Sequence, residues 1–219
     1  MDSLQNIFKD LDEAFDKSDI KKSAKEKGVV WNYSLLASPA NQYSLLVVGF
    51  NWGAAKDCKY EKQTIDNIPI KFPEDMGSLI RIKYYIDKYF PSIPFNEVVQ
   101  TNYCFFRSQK EAEITPNDIQ LCQPIFQKLL SYLQPKAIIS FSSKFRDALI
   151  KDSFKDNDFY LDEKTCVPII TNMGEYNLVT GTLHENTLSS KIYFLPHPMY
   201  RLKKEFRDEC WKIAINSEN

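Results

Sequence analysis

The chain has 219 residues, 43% of them hydrophobic and 14% aromatic, which favours one compact domain of the usual size, about 100–200 residues, with a core of its own. Lys and Arg number 28 against 29 Asp and Glu, for a formal net charge of −1, so no global positive field holds a nucleic acid and any polyanion contact must be local. No apolar run approaches the roughly 18 residues of a membrane span; the longest, near Leu45–Phe50 and Ala137–Phe141, are strand-sized and predict a soluble protein.

The first 28 residues alternate charged with sparse apolar side chains and lack the pattern of a secretory signal, which predicts a protein that stays in the cytoplasm. Leu4, Phe8, Leu11 and Phe15 recur at helical spacing and predict an amphipathic helix, followed by a connector up to Gly28. The first core strand is read at Tyr43–Gly49, apolar nearly throughout, as a parallel strand covered on both faces requires. A loop, Gly49-Phe50-Asn51-Trp52-Gly53, follows it directly.

Helical spacing of Leu79, Ile82, Tyr85, Ile86 and Tyr89 predicts a helix from Gly77 to Phe90, ended by Pro91. A second strand is read over Val98–Phe106, with Thr101 and Asn102 inside it, before the polar loop from Arg107. Thr115, Pro116 and Asp118 supply the cap, the first-turn proline and the first-turn acid of a helix running to about Gln134. Pro135 closes it ahead of the strand Lys136–Phe141 and a helix over Lys144–Lys151. The last strand is read at Lys191–Leu195, leading into Pro196-His197-Pro198, and a closing helix at about Arg201–Ile215. This alternation predicts an α/β fold with a mainly parallel sheet, residues 1–219 forming one domain.

In open α/β sheets the ligand crevice lies outside the carboxyl ends of the strands. Three polar sets fall there: the Gly49–Gly53 loop, Thr101-Asn102 and His197-Pro198. Each has a plainer reading, respectively turn chemistry, a locally satisfied amide and a surface histidine. The flanking prolines do hold His197 in a stiff extended backbone. Cysteines 58, 104, 122, 166 and 210 are odd in number and contain no CxxC pair, which argues for reduced thiols over disulfides or a standard zinc site. A nucleotide-phosphate site at the glycine loop is disfavoured, because neither GxGxxG nor GxxxxGK[ST] is present.

Taken in order, the strand with Gly49-x-Asn51-x-Gly53, Phe72 with Gly77, Thr101-Asn102, Cys122-Gln-Pro124 with Leu129, Pro135-Lys-Ala-Ile-Ile139 and His197-Pro198 resemble the uracil-DNA glycosylase superfamily over roughly residues 43–205. The likeness is nearest to its mismatch-specific and single-strand-selective branches. It implies a three-layer α/β/α sandwich around a mainly parallel four-stranded sheet. It also implies an enzyme that flips uracil or a related deaminated base out of single- or double-stranded DNA and hydrolyses its N-glycosidic bond, as a monomer and without cofactor or metal.

By the same resemblance Asn51 holds the attacking water and His197 donates to the departing base. Gly49, Phe50, Phe72 and Asn102 bind that base, Phe72 by stacking and Asn102 by reading its Watson–Crick edge. Leu202 is the wedge that enters the vacated stack, with Arg201, Lys203 and Lys204 on phosphates. For Phe72 and Leu202 a place in the core is the rival reading; for Asp57, in the position of an acid that assists water binding, it is a solvated loop carboxylate.

Departures from the family pattern are Trp52 in place of proline, Met199 in place of serine, and Phe50 at a position whose backbone amide often meets uracil. No cysteine precedes Cys58, so the N-terminal pair that ligates an iron–sulfur cluster in some branches is lacking. The rival to an enzyme is a catalytically inactive module of the same fold that binds a base, nucleotide or nucleic acid.

Overall fold

A computed structural model describes residues 3–71, 77–151, 159–171, 174–185, 188–199 and 202–216. Its elements in chain order are α1 (Leu4–Lys17), α2 (Asp19–Glu26), β1 (Leu45–Gly49), β2 (Trp52–Gly53), α3 (Gly77–Ile80), α4 (Lys83–Tyr89), β3 (Val99–Asn102), β4 (Arg107–Ser108), α5 (Pro116–Leu133), β5 (Ala137–Ser140), α6 (Ser143–Ile150), β6 (Phe159–Thr171), β7 (Gly174–Glu185), β8 (Leu188–Phe194) and α7 (Lys204–Asn216). Short 3-10 turns join some of them.

The main sheet has the order β3-β1-β5-β8-β7-β6. Its first four strands are parallel, and β7 and β6 extend it as antiparallel neighbours. The expected four-stranded sheet is therefore corrected to six strands, the parallel part being the portion legible as apolar runs. The added hairpin shows no such run because much of β6 faces solvent: Tyr160, Asp162, Lys164, Thr165, Cys166 and Pro168 are exposed. Pro168, which lacks a backbone donor, is tolerated because β6 is the edge strand. Pairing with β8 starts at Val179, opposite Phe194, so the earlier residues of β7 continue past the carboxyl ends of the parallel strands.

Both faces of the sheet are apolar, in keeping with the period of two along each strand. Leu46, Val48, Val99, Ile138 and Ile192 point into a cluster with Ile7, Leu11, Phe126 and Phe145 from α1, α5 and α6. Leu45, Val47, Val98, Ile139 and Tyr193 point into another, with Leu79, Ile86 and Trp211 from α3, α4 and α7. Full burial of one such side chain contributes about 1.5–3 kcal/mol, so the helices on each face are held mainly by these stripes.

Several boundaries differ from expectation. The helix read over 77–90 is interrupted at Arg81 and Ile82, and the segment read as a connector contains α2. The strand read over 98–106 stops at Asn102, beyond which Phe106 bridges to Tyr33 and Arg107–Ser108 pairs with β2. The last strand begins at Leu188, and α7 begins at Lys204. Among the described residues no helix is long and apolar enough to cross a membrane.

The amino end of α5 is as the sequence implies, since Thr115 Oγ1 accepts from the backbone N–H of Asp118 at 3.2 Å. Asp118 is fully buried and does more than cap. One carboxylate oxygen accepts from the backbone amides of Asp19 (2.8 Å) and Ile20 (3.2 Å), the other from that of Thr115 (2.9 Å). One carboxylate thus ties the amino ends of α2 and α5 together. Asp118→Ala, which strands these amides away from water, is expected to lower the unfolding free energy by about 3 kcal/mol; Asp118→Asn should lose less, both read from urea denaturation.

Candidate functional site

Because β1, β3, β5 and β8 are parallel, their carboxyl ends share one edge of the sheet, and a cavity of about 230 Å³ opens there. Gly49, Phe50, Asn51, Trp52 and Gly53 line it from the end of β1, Gln100 and Asn102 from β3, Phe141 from the end of β5, and His197 and Pro198 from the segment after β8. Asn51 and His197, 146 positions apart in sequence, therefore meet at one cavity.

Asn51 is oriented by the small sheet that follows it. Trp52–Gly53 pairs in parallel with Arg107–Ser108, which brings Ser108 Oγ to 2.8 Å from Asn51 Nδ2. The Ser108 hydroxyl donates its one proton to the carbonyl of Lys110, also at 2.8 Å. It can only accept from Asn51, so the amide must turn its N–H₂ toward Ser108 and leave Oδ1 as the open acceptor. Oδ1 has no hydrogen-bond partner among the described residues.

His197 is oriented by the backbone immediately after it. The N–H of Met199 donates to Nδ1 at 3.2 Å. A neutral imidazole that accepts at Nδ1 carries its proton on Nε2, which makes Nε2 a donor. Phe141 meets the ring edge-on, with centroids 6.1 Å apart, and burial pushes the imidazole pKa down while the charge of Glu111 partly opposes this. The site thus has a placed acceptor and a histidine held toward its neutral, donating form.

Asn102 ends β3 directly beside Gly49. It is 4% exposed, and its amide has no hydrogen-bond partner among the described residues. A Cβ on residue 49 would lie 2.2 Å from Asn102 Oδ1, a distance real side chains do not reach, so glycine is needed for the amide to lie where it does. Gln100, also buried, enters the same cavity two residues earlier, and its Oε1 has no partner either. A buried acceptor left unpaired, as Gln100 Oε1 is, costs about 1–3 kcal/mol, which an aliphatic side chain would avoid.

The indole of Trp52 does not plug the cavity. Its Nε1 donates to the carbonyl of Ser34, and the Arg107 guanidinium lies 5.9 Å above its ring. Phe50 lines the cavity while its ring packs on the cluster around Phe126 and beneath Lys144, whose ammonium is 5.2 Å from the centroid. Asp57 is exposed and is not part of the lining. Leu202 is half-buried, and Lys203 and Lys204 are exposed between the His197 segment and the first turn of α7. Phe72 and Arg201 lie outside the described residues.

Gln100 and Ser108 were not singled out by sequence reasoning. Gln100 carried a usable signal, a second amide in an apolar strand at a spacing of two from Asn102 and hence on the same face. Ser108 carried none, because its role depends on a two-residue pairing. Among the described residues no group of three or more His, Cys, Asp or Glu side chains is placed to hold a metal ion. Neither a scan against protein-family models nor a search of curated proteins finds a match for this sequence.

Two expectations follow from this geometry. Gly49→Ala should displace the Asn102 amide from its place beside residue 49, checked by the variant's crystal structure. The second concerns protons: the folded state resists protonation of His197, whereas the unfolded chain takes up its proton near the ordinary value of about 6.5. The resulting stability is fully present above that value and is lost as pH falls through it toward the lower folded pKa. His197→Asn should flatten the dependence of unfolding free energy on pH below about pH 7 relative to the parent protein.

Proposed function

We propose that this protein is a DNA base-excision glycosylase that hydrolyses the N-glycosidic bond of uracil or a related deaminated base. The observation that carries this reading is the convergence of the Asn51 acceptor, the His197 imidazole and the unpartnered Asn102 amide on one cavity at the carboxyl edge of the parallel sheet. Helices packed against both faces of that sheet support the α/β/α sandwich of the superfamily it resembles.

In this mechanism the target nucleotide leaves the stack and its base enters the cavity. Asn102 hydrogen-bonds the edge of the base, and Phe72 stacks on it. Asn51 Oδ1 holds a water but is too weak a base to deprotonate it. The bond to the sugar therefore breaks early, its electron pair leaving with the base as an anion; water captures the oxocarbenium-like sugar, and the proton it loses neutralises the departed base, giving a sugar hydroxyl and the free base. His197 Nε2–H, fixed in advance by the Met199 backbone, stabilises the negative charge that builds on the leaving base. Leu202 fills the vacated stack, and Arg201, Lys203 and Lys204 take phosphates, supplying locally the positive charge that the near-neutral chain lacks overall. The enzyme works as a monomer in the cytoplasm.

The test is excision from uracil-containing single- and double-stranded oligonucleotides. Asn51→Ala and His197→Ala should each lower kcat by about 10²–10³ while the circular dichroism spectrum is retained. Unchanged activity in both variants would overturn these roles. Stoichiometric, salt-dependent binding with no abasic product would point instead to a binding module of the same fold.

A further inference from the structure

Two amides reach the cavity from one face of β3 at different depths. Asn102 is level with Gly49 at the end of the strand, and Gln100 is level with Val47, one strand repeat deeper, about 6.6 Å along the chain. Gln100 is 9% exposed, and its Oε1 is buried without a partner among the described residues. Val47 and Leu79 line the same region, so an aliphatic side chain would suit the floor if packing were its only task.

A primary amide presents a donor beside an acceptor, which matches the carbonyl beside N–H of a lactam. Deamination creates that lactam in pyrimidines and purines alike. With the glycosidic bond held at the mouth between Asn51 and His197, the lactam edge of a one-ring base lies at one depth, and that of a two-ring base lies further in by the width of the added ring. That ring and the extra methylene of glutamine over asparagine both act to close the interval between the two readers.

We propose that Gln100 is a specificity-determining residue that reads the lactam edge of a deaminated purine, an oxopurine of the hypoxanthine type, while Asn102 reads that of a deaminated pyrimidine. The inference rests on the glycosylase reading of the cavity and extends it to a second substrate class.

The experiment titrates the full chain calorimetrically with free hypoxanthine and free uracil, and measures excision of each base from oligonucleotides, for the parent protein, Gln100→Leu and Gln100→Met. The methionine variant, closer in shape to glutamine, guards against a leucine variant that fails to fold. Loss of the paired hydrogen bonds should lower the preference for hypoxanthine over uracil by about tenfold or more. An unchanged preference in a folded variant, or a parent protein that neither binds nor excises hypoxanthine, overturns the inference. In the latter case retained uracil excision leaves the glycosylase reading standing. Gln100-dependent binding of hypoxanthine without release of either base from DNA instead sinks the glycosylase reading and keeps the assignment of Gln100 as a reader.

Discussion

The close approach of the Asn102 amide to the bare Cα of Gly49 is the constraint on which the cavity depends. It requires the register that sets Gly49 opposite Asn102, and that register continues past the strand ends: Tyr103 N–H donates to the carbonyl of Gly49 at 3.0 Å, and Cys104 N–H to that of Phe50 at 2.7 Å. The loop leaving β1 is thereby held against the chain leaving β3 through its first turn. Only then can Trp52–Gly53 pair with Arg107–Ser108 and bring Ser108 to Asn51. A shift of one residue would reverse the facing of every side chain in β3 and send both amides to the opposite cluster.

The two polar poles of the site are fixed by economical means. One hydroxyl, with its only proton committed elsewhere, decides which end of the Asn51 amide faces out. One backbone N–H decides which nitrogen of His197 carries the proton. Both are short-range hydrogen bonds, in a molecule whose formal net charge is −1 and whose ion pairs are largely exposed. Exposed pairs contribute about 0–1 kcal/mol each, so the orientation of the site rests on short-range hydrogen bonds within the same folding unit.

Much of this was legible in the sequence, and the parts that were not share a cause. The parallel strands announced themselves because both of their faces are buried, and α5 because Thr115, Pro116 and Asp118 act through local geometry alone. The hairpin of β6 and β7 was missed because a strand with an exposed face carries little apolar signal. The stop of β3 at Asn102 was missed because Tyr103, Cys104, Phe105 and Phe106 remain fully buried after the ladder ends; hydrophobicity reports burial, and here burial outlasts the strand. Asn51, Asn102 and His197 could be picked out by their positions near strand ends. What no spacing showed was the second use of Asp118 or the tether from Ser108, both of which arise from contacts across long stretches of chain.

The pairing of two unsatisfied amides at the floor and wall of one cavity bears on what the fold was selected to do. The buried Oε1 of Gln100 costs about 1–3 kcal/mol relative to a satisfied state, comparable with the gain from burying one large core side chain. A sequence shaped by stability alone would place valine or leucine at 100 and 102, as it does at 98 and 99 of the same segment, where both side chains are buried and apolar. The polar side chains of β3 without a protein partner among the described residues are the two on the face that meets the cavity. On the opposite face Thr101 satisfies its hydroxyl by donating to the carbonyl of Leu35 at 2.6 Å. The strand thus pairs its polar side chain on the face turned away from the cavity and leaves its two amides unpaired on the face that lines it.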